Sequence, residues 1–255
     1  LNQEYNTAGQ LVRSGIFANR KYKFHNNHFL FTELNYFPSR WDDTNSAGNG
    51  DFKIDPRWQV GGFYSTDSAK KVSHGFGASF NQEEIGGQEH VWRYEISWRP
   101  SDRFSAQLEL RYINRTDWLL HQSGRDFTTY KAEFWQPELE IDYFLTAKQQ
   151  FRITAQWVGI KAFERDRWRV PVGDGSLITD TAPVTDTRDF SISRLVFQAR
   201  YRWEIAPLSD LFVVYTRGSN LPNSPEESFG DLLHDSWTNR AVDVFVIKLR
   251  YRLGS

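Results

Sequence analysis

The chain lacks both cysteine and methionine, and it has no excess of charge of either sign. Its 31 basic residues are balanced by 32 acidic ones, which argues against nucleic-acid binding, because nucleic-acid-binding proteins carry a basic excess gathered on one face. Without cysteine, no disulfide framework is possible. The absence of methionine even at position 1 leads us to expect further polypeptide upstream, either a removed signal peptide or a larger N-terminal portion.

Long hydrophobic runs are also missing. The longest unbroken apolar segment is residues 211–215, whereas a transmembrane helix needs about 20 mostly apolar residues. The mean hydropathy is only -0.62, yet the chain contains 10 Trp, 11 Tyr and 20 Phe. A chain that is polar on average and rich in rings is typical of transmembrane β-strands, because alternate side chains face lipid and water.

Alternation of apolar and polar residues is the main secondary-structure signal. In residues 90–99 every second position is apolar, from Trp92 to Trp98, and the positions between them include Arg93 and Glu95. This period of two predicts β-strands with one apolar face and one charged face. Similar or weaker alternation predicts eleven strands in total, including residues 11–18, 29–37, 58–65, 72–81, 103–112, 138–143, 150–157, 195–205 and 241–253.

The lengths of the expected connections favour a membrane barrel over a soluble β-sandwich or lipocalin-like barrel, which have the same alternation. Short turns near Ser101, Lys148 and Leu208 alternate with long polar connections. Outer-membrane barrels combine tight periplasmic turns with long extracellular loops. The long connections are expected at residues 40–56, 114–127, 164–188 and 218–239.

The two faces predict two sets of residues. Charges cannot face hydrocarbon, where Arg or Lys at mid-depth costs about 2 to 4 kcal/mol, and aromatic rings collect at the lipid interfaces. The residues expected to line the lumen are Arg93, Glu95, Glu109, Arg111, Glu138, Glu140, Asp142, Arg152, Arg200, Arg202, Glu204, Lys248 and Arg250. The rings expected at the lipid interface are Trp92, Trp98, Tyr112, Tyr143, Trp157, Trp203 and Tyr251.

The width of the barrel stays open at this point. In a narrow barrel, pairs such as Glu140 and Arg152 would neutralise each other in a packed polar core, and in a wide one the charges would line a water channel. An odd count of eleven strands cannot close by antiparallel pairing alone. Residues 1–8 would supply a twelfth strand, but they are mostly polar, so we expect further strands upstream and a chain that is the C-terminal part of a larger barrel.

Several strand and turn segments resemble a known family. They are Trp41-Asp42-Asp43, residues 64–68 followed by Lys70 and Lys71, and residues 98–105, 194–203, 212–218 and 244–249. They resemble the outer-membrane β-barrel domain of unassigned function that follows a carbohydrate-binding family 9 domain in Gram-negative bacteria. The resemblance implies a single transmembrane β-barrel domain over residues 1–255 in the bacterial outer membrane, without the N-terminal periplasmic or sugar-binding portion. The chain departs from barrel-assembly signals in lacking a terminal aromatic residue.

Motifs for catalysis or cofactor binding are absent. There is no G-x-S-x-G, G-x-x-x-x-G-K or H-E-x-x-H motif, and His25 with His28 fits a solvated turn better than a metal site. We therefore expect no cofactor and no metal. Enzyme activity stays open, with the balance against it, because His121 with Ser123, or His234 with Ser236, offers a base beside a nucleophile.

The expected function is a pore or transport component for a small solute or saccharide, embedded in outer-membrane lipid. The alternative is a membrane anchor or surface-binding barrel that carries a carbohydrate-binding domain, and an outer-membrane hydrolase ranks third. Sequence alone leaves the oligomeric state open.

Overall fold

Antiparallel β-strands dominate the computed structural model, which describes residues 2–173, 175–181 and 186–252. Leu1 and Leu253, at the ends of two expected segments, lie outside the described residues. The elements are β1 (Asn2–Tyr5), β2 (Leu11–Lys23), β3 (Phe29–Phe37), β4 (Arg40–Asp42), β5 (Phe52–Ile54), β6 (Arg57–Ser65), β7 (Val72–Gln82), β8 (Gln88–Ser101), β9 (Phe104–Ser123), β10 (Asp126–Thr146), β11 (Gln149–Arg169), β12 (Gly175–Ser176), β13 (Ile178–Thr179), β14 (Phe190–Ala206), β15 (Ser209–Asn223), α1 (Phe229–Thr238) and β16 (Val242–Arg250).

One continuous sheet contains all eleven predicted strands. Its order is β1-β2-β3-β6-β7-β8-β9-β10-β11-β14-β15-β16, and every neighbouring pair is antiparallel. The expected all-β antiparallel fold is therefore confirmed.

The expected closure into a barrel does not occur in this chain. β1, of four residues, pairs with residues 11–15 of β2 but not with β16, and within the described part β16 has β15 as its one neighbour. Ten antiparallel steps separate β2 from β16, so these two longer strands point the same way and cannot themselves form an antiparallel pair.

Alternation separates the main sheet into two faces. The polar face holds all thirteen charged residues named above, because the ladder keeps them in register, for example Glu95 opposite Glu109 and Glu109 opposite Glu138. The apolar face holds the rings, with Trp92 opposite Tyr112 and Tyr112 opposite Trp135. The charged set and the rings thus lie on opposite faces of the sheet, while contact of the one with a lumen and of the other with lipid stays a prediction.

The prediction of a long connection at residues 114–127 is wrong. β9 and β10 continue to a tight turn at Gly124, whose φ of +52° lies in the region that glycine adopts at no steric cost. Trp118 therefore lies in a strand rather than in a loop. The extension is stabilised by packing, since Trp118 contacts Phe134 with ring centroids 5.2 Å apart and Tyr130 is buried beside them.

The connections at one end of the sheet, here called the long-loop end, fold back on one another. β5, from the β3–β6 connection, pairs with β12, from the β11–β14 connection. In a flat sheet β6 and β11 would be about 24 Å apart, since five inter-strand steps of about 4.8 Å separate them. The pairing indicates that the sheet curls. A buried cluster holds the contact together and contains Phe52, Ile54, Phe127, Val170 and Leu177.

Helix α1 lies within the expected 218–239 loop and packs on the apolar face. Ser228 and Asp231 form a reciprocal capping box at its N-terminus. The helix covers Trp157, which was expected at the lipid interface but is only 6% exposed. The Trp157 indole N–H donates to Ser193 Oγ at 2.9 Å, and Ser193 Oγ donates to the Leu232 carbonyl oxygen at 2.7 Å. The expectation of Trp157 at the lipid interface failed because helix α1 was not predicted.

We expect Leu232→Ala to release α1 from the sheet. Leu232 is 0% exposed, and truncating a buried leucine lowers stability by about 2 to 5 kcal/mol. Leu233→Ala is the matched control, because Leu233 lies on the same helix and is 39% exposed. Urea unfolding followed by tryptophan fluorescence, with amide hydrogen exchange of α1, measures both. Equal effects of the two substitutions would contradict the docking.

Candidate functional site

Charges on the polar face are paired along the ladder. Arg93 bridges Glu95 and Glu109, with 2.9 Å to the Glu109 carboxylate. Arg152 makes two hydrogen bonds to Asp142, of 2.8 and 2.7 Å. The expected pair of Arg152 with Glu140 does not form, because Asp142 is the residue directly opposite Arg152 in the register. The residue directly opposite Arg152 on the neighbouring strand is therefore its ion-pair partner.

Cations without an ion pair collect at one side of the polar face. Among the described residues, Arg200, Lys248 and Arg250 have no carboxylate oxygen within 4.0 Å, while Arg202 pairs with Asp210 at 2.9 Å. All four cations lie on β14 and β16, toward the short turns. Among the described residues, Glu138 and Glu140 on β10 also make no ion pair.

Toward the long-loop end the polar face becomes apolar and buried. Ile113, Tyr130 and Phe134 pack with Ala162, and Trp118 and Phe190 complete the cluster. The 38–56 connection, which contains β4 and β5, packs beyond them through Phe52 and Ile54. The polar face is therefore covered at this end by packed side chains.

An ionic cluster attaches the 38–56 connection to the strands. Glu84 Oε1 lies 3.5 Å from Arg57 and 4.0 Å from Arg40, and the Asp55 N–H donates to the Glu84 carbonyl oxygen at 3.3 Å. Arg40 also donates to the Val12 carbonyl oxygen at 2.9 Å. Burial raises the pKa of the Glu84 carboxyl above its usual 4.5, against the opposing attraction of Arg57.

Neighbouring acidic groups of this cluster are already engaged. Glu83 holds Arg115 through two hydrogen bonds of 2.5 and 2.7 Å. Asp42 is buried and accepts from the backbone N–H groups of Thr44 and Asn45, and from the Asn45 side chain at 2.7 Å. In the described ranges no three His, Asp or Glu side chains are arranged to hold a metal ion.

Two cavities flank Arg57 and Asn45. One, of about 380 Å³, lies between β2, β3 and the start of the 38–56 connection, and the other, of about 330 Å³, lies toward β9. Sequence reasoning missed Arg40, Arg57 and Glu84, because no local spacing relates them. The antiparallel pairing of β6 with β7 brings Arg57 beside Glu84, and the folded connection adds Arg40.

Neither expected base and nucleophile pair forms. His121 Nε2 lies 2.8 Å from the Gly124 carbonyl oxygen, and Ser236 is buried with its hydroxyl against Ser193. His28 contacts the Tyr64 hydroxyl. Within the described residues, no histidine ring is hydrogen-bonded to a serine or threonine hydroxyl.

Large rings on the apolar face are exposed in rows. Trp92 is 58% exposed, and Trp98, Tyr143, Trp203 and Tyr251 are also exposed, while Tyr112 is half-buried between Trp92 and Trp135. At the long-loop side the row continues with Tyr36 and Trp58, and at the short-turn side with Phe104. These three rings follow the same alternation, although they were not among those predicted at the lipid interface. No helix in residues 2–173, 175–181 or 186–252 is long and apolar enough to cross a membrane.

We expect Glu84 to impose a pH dependence on stability. The folded state holds its proton more tightly than the unfolded state, so its contribution is full below about pH 4.5 and is lost as the pH rises through the raised folded pKa. Urea unfolding between pH 4 and 8 should therefore show the stability of Glu84→Gln rising relative to the wild type as the pH increases. Glu226→Gln, at an exposed position, is the control and should show no such trend.

Comparison with curated proteins and with solved structures finds no match. The family model of a domain of unknown function, DUF5916, matches residues 2–254, which is nearly the whole chain. A match of this extent shows the family: the chain belongs to the domain of unknown function DUF5916.

Proposed function

We propose that this chain forms the wall of an outer-membrane β-barrel whose polar face lines a passage for a small solute or saccharide. The observation that carries the proposal is the exposed apolar face, bounded by rings at both ends of its strands. On β9 the apolar positions run from Phe104 to Tyr112, and on β10 from Trp135 to Tyr143. Aromatic residues at both limits are typical of strands that cross a bilayer.

The height of this apolar belt fits a membrane. Eight steps of about 3.4 Å from Phe104 to Tyr112 give about 27 Å along the strand. A tilt of about 40° reduces this to about 21 Å, close to the apolar band of about 25 Å in outer-membrane barrels. Hydrocarbon is thus the environment that this face suits.

The surface area supports the same proposal. The chain exposes 15460 Å², whereas a folded soluble monomer of 29.9 kDa exposes about 11,700 Å² by the usual size scaling. Much of the excess is apolar, including Phe245, Ile247 and Leu249 on β16. Contiguous exposed apolar surface of this extent is an interaction surface rather than ordinary protein exterior.

Closure of the proposed barrel requires strands beyond this sheet. Since β2 and β16 point the same way, an odd number of antiparallel strands must lie between them in a closed barrel, and the four-residue β1 is one of these at most. The proposal therefore assigns this chain most of the wall, not the whole of it.

The packed long-loop end favours the second candidate, a membrane anchor without transport. Phe52 and Ile54 are fully buried where the 38–56 connection meets the wall. A permanently closed end would leave a barrel that holds its loops at the surface and conducts nothing.

Membrane insertion is tested by one charge placed on either face of β9. Leu108 lies midway between Phe104 and Tyr112 on the apolar face, and Gln107 is its neighbour on the polar face. We expect Leu108→Arg to make folding into lipid vesicles less favourable by about 2 to 4 kcal/mol, and the control Gln107→Arg to change it little. Urea titration in vesicles measures both, and equal tolerance would overturn the membrane assignment.

Transport is tested by removing the connection that narrows the passage. The Ser39 hydroxyl donates to the Ile54 carbonyl oxygen at 2.8 Å, so replacing residues 40–54 by Asn-Gly joins positions that already lie close together. With the strands that complete the proposed barrel present, we expect single-channel conductance in a planar bilayer to rise at least several-fold in this variant. Conductance in neither protein would reject the pore and favour the anchor.

A further inference from the structure

We infer that the cavity beside Arg57 binds the oxyanion of a small organic solute, either a carboxylate or a phosphate ester. The inference deepens the proposed function by naming a solute class, and it rests on that function for its role in transport. Binding itself depends only on the cavity.

Guanidinium groups dominate the lining of this cavity of about 380 Å³. Arg40 and Arg57 reach it from the two ends of the 38–56 connection, and Arg13 reaches it from β2. Ser14, Thr44 and Asn45 add neutral polar groups. The cavity lies within the size range of small-molecule sites.

The cations are not balanced within the cavity. Asp42 is its one lining carboxylate among the described residues, and the donors of Thr44 and Asn45 already occupy both Asp42 oxygens. Arg13 lies 3.4 Å from Glu4, but both side chains are largely exposed, where an ion pair contributes little. A net positive charge thus remains for a bound anion to neutralise.

Arg57 is the residue best placed to hold that anion. Its side chain is only 19% exposed, and in the described part of the chain its guanidinium has no hydrogen bond and one carboxylate neighbour, Glu84 at 3.5 Å. Arg40 shares the same Glu84 oxygen. A guanidinium has five N–H donors in a planar fork that matches carboxylate or phosphate oxygens in pairs. Several Arg57 donors are therefore free for a ligand.

Aromatic walls indicate an organic anion rather than a bare ion. Phe17 and Phe37 line the cavity with ring centroids 5.7 Å apart, and the Arg57 guanidinium lies 5.7 Å above the Phe37 ring. Rings beside a cation suit a ligand that combines an apolar C–H face with one charged group. A uronic acid and a sugar phosphate both have such a ring face and such a group.

Calorimetric titration of the detergent-solubilised protein tests the inference with three probes of similar size: glucuronate, glucose 6-phosphate and glucose. We expect at least one of the two anions to bind at least 10-fold more tightly than glucose. Comparable binding of the two anions indicates general oxyanion recognition, and a preference for one identifies the carboxylate or the phosphate ester. Equal or tighter binding of glucose would overturn the inference.

Substitutions of Arg57 test whether the anions bind in this cavity. We expect Arg57→Gln to weaken anion binding at least 10-fold and Arg57→Lys, which keeps the charge but loses the fork, to weaken it less. Arg103→Gln, in the exposed turn between β8 and β9, is the control and should leave binding unchanged. Circular dichroism confirms folding, and the lysine variant provides the comparison if the glutamine variant unfolds. Unchanged binding in a folded Arg57 variant would overturn the inference.

The outcome is separable from that of the proposed function. Anion binding at Arg57 without conductance in a bilayer would reject the passage and keep the site. Conductance without Arg57-dependent binding would reject the site and keep the passage.

Discussion

The two-residue period of the strands, kept in register across the whole sheet, is the constraint on which the rest of the structure depends. Directly opposed residues in a ladder share a face, so a slip of one residue would move every side chain of a strand to the other side. Glu95, Glu109 and Glu138 therefore lie in one row, and Trp92, Tyr112 and Trp135 in another. The strands therefore share one continuous polar face and one continuous apolar face, rather than forming separate amphipathic hairpins.

The same period explains how much of the fold is predictable from the sequence. Apolar and charged residues alternate within each strand, so all eleven strands and the face of each charged residue can be predicted locally. Helix α1 breaks the pattern, yet the Ser228 and Asp231 capping box is a local signal that announces it. The extension of β9 and β10 was missed because charged residues near Arg115 resemble a loop, while distant packing against Phe134 and Phe190 holds them in strands.

The candidate site is predictable only in part. Alternation within a strand is a local pattern, whereas strand register and loop folding depend on residues far apart in the sequence. The polar face follows from alternation, but the choice of Asp142 over Glu140 as partner of Arg152 requires the exact strand register. Arg40, Arg57 and Glu84 belong to three separate chain segments: the β6–β7 pair brings Arg57 beside Glu84, and the folding of the 38–56 connection adds Arg40. No sequence period encodes such a meeting.

The free edges of the sheet connect fold and function. On the outer edge of β16, and on the part of β2 that β1 does not cover, unpaired backbone groups are harmless in water, but each costs several kcal/mol in hydrocarbon. Residues on β16 such as Ile247 and Leu249 place this edge within the apolar belt. A membrane role therefore requires a strand partner at both edges, and the shared direction of β2 and β16 requires that the partners join through an odd number of strands. The direction of the strands at the sheet edges thus limits how a barrel could close, just as the exposed rings favour a lipid environment.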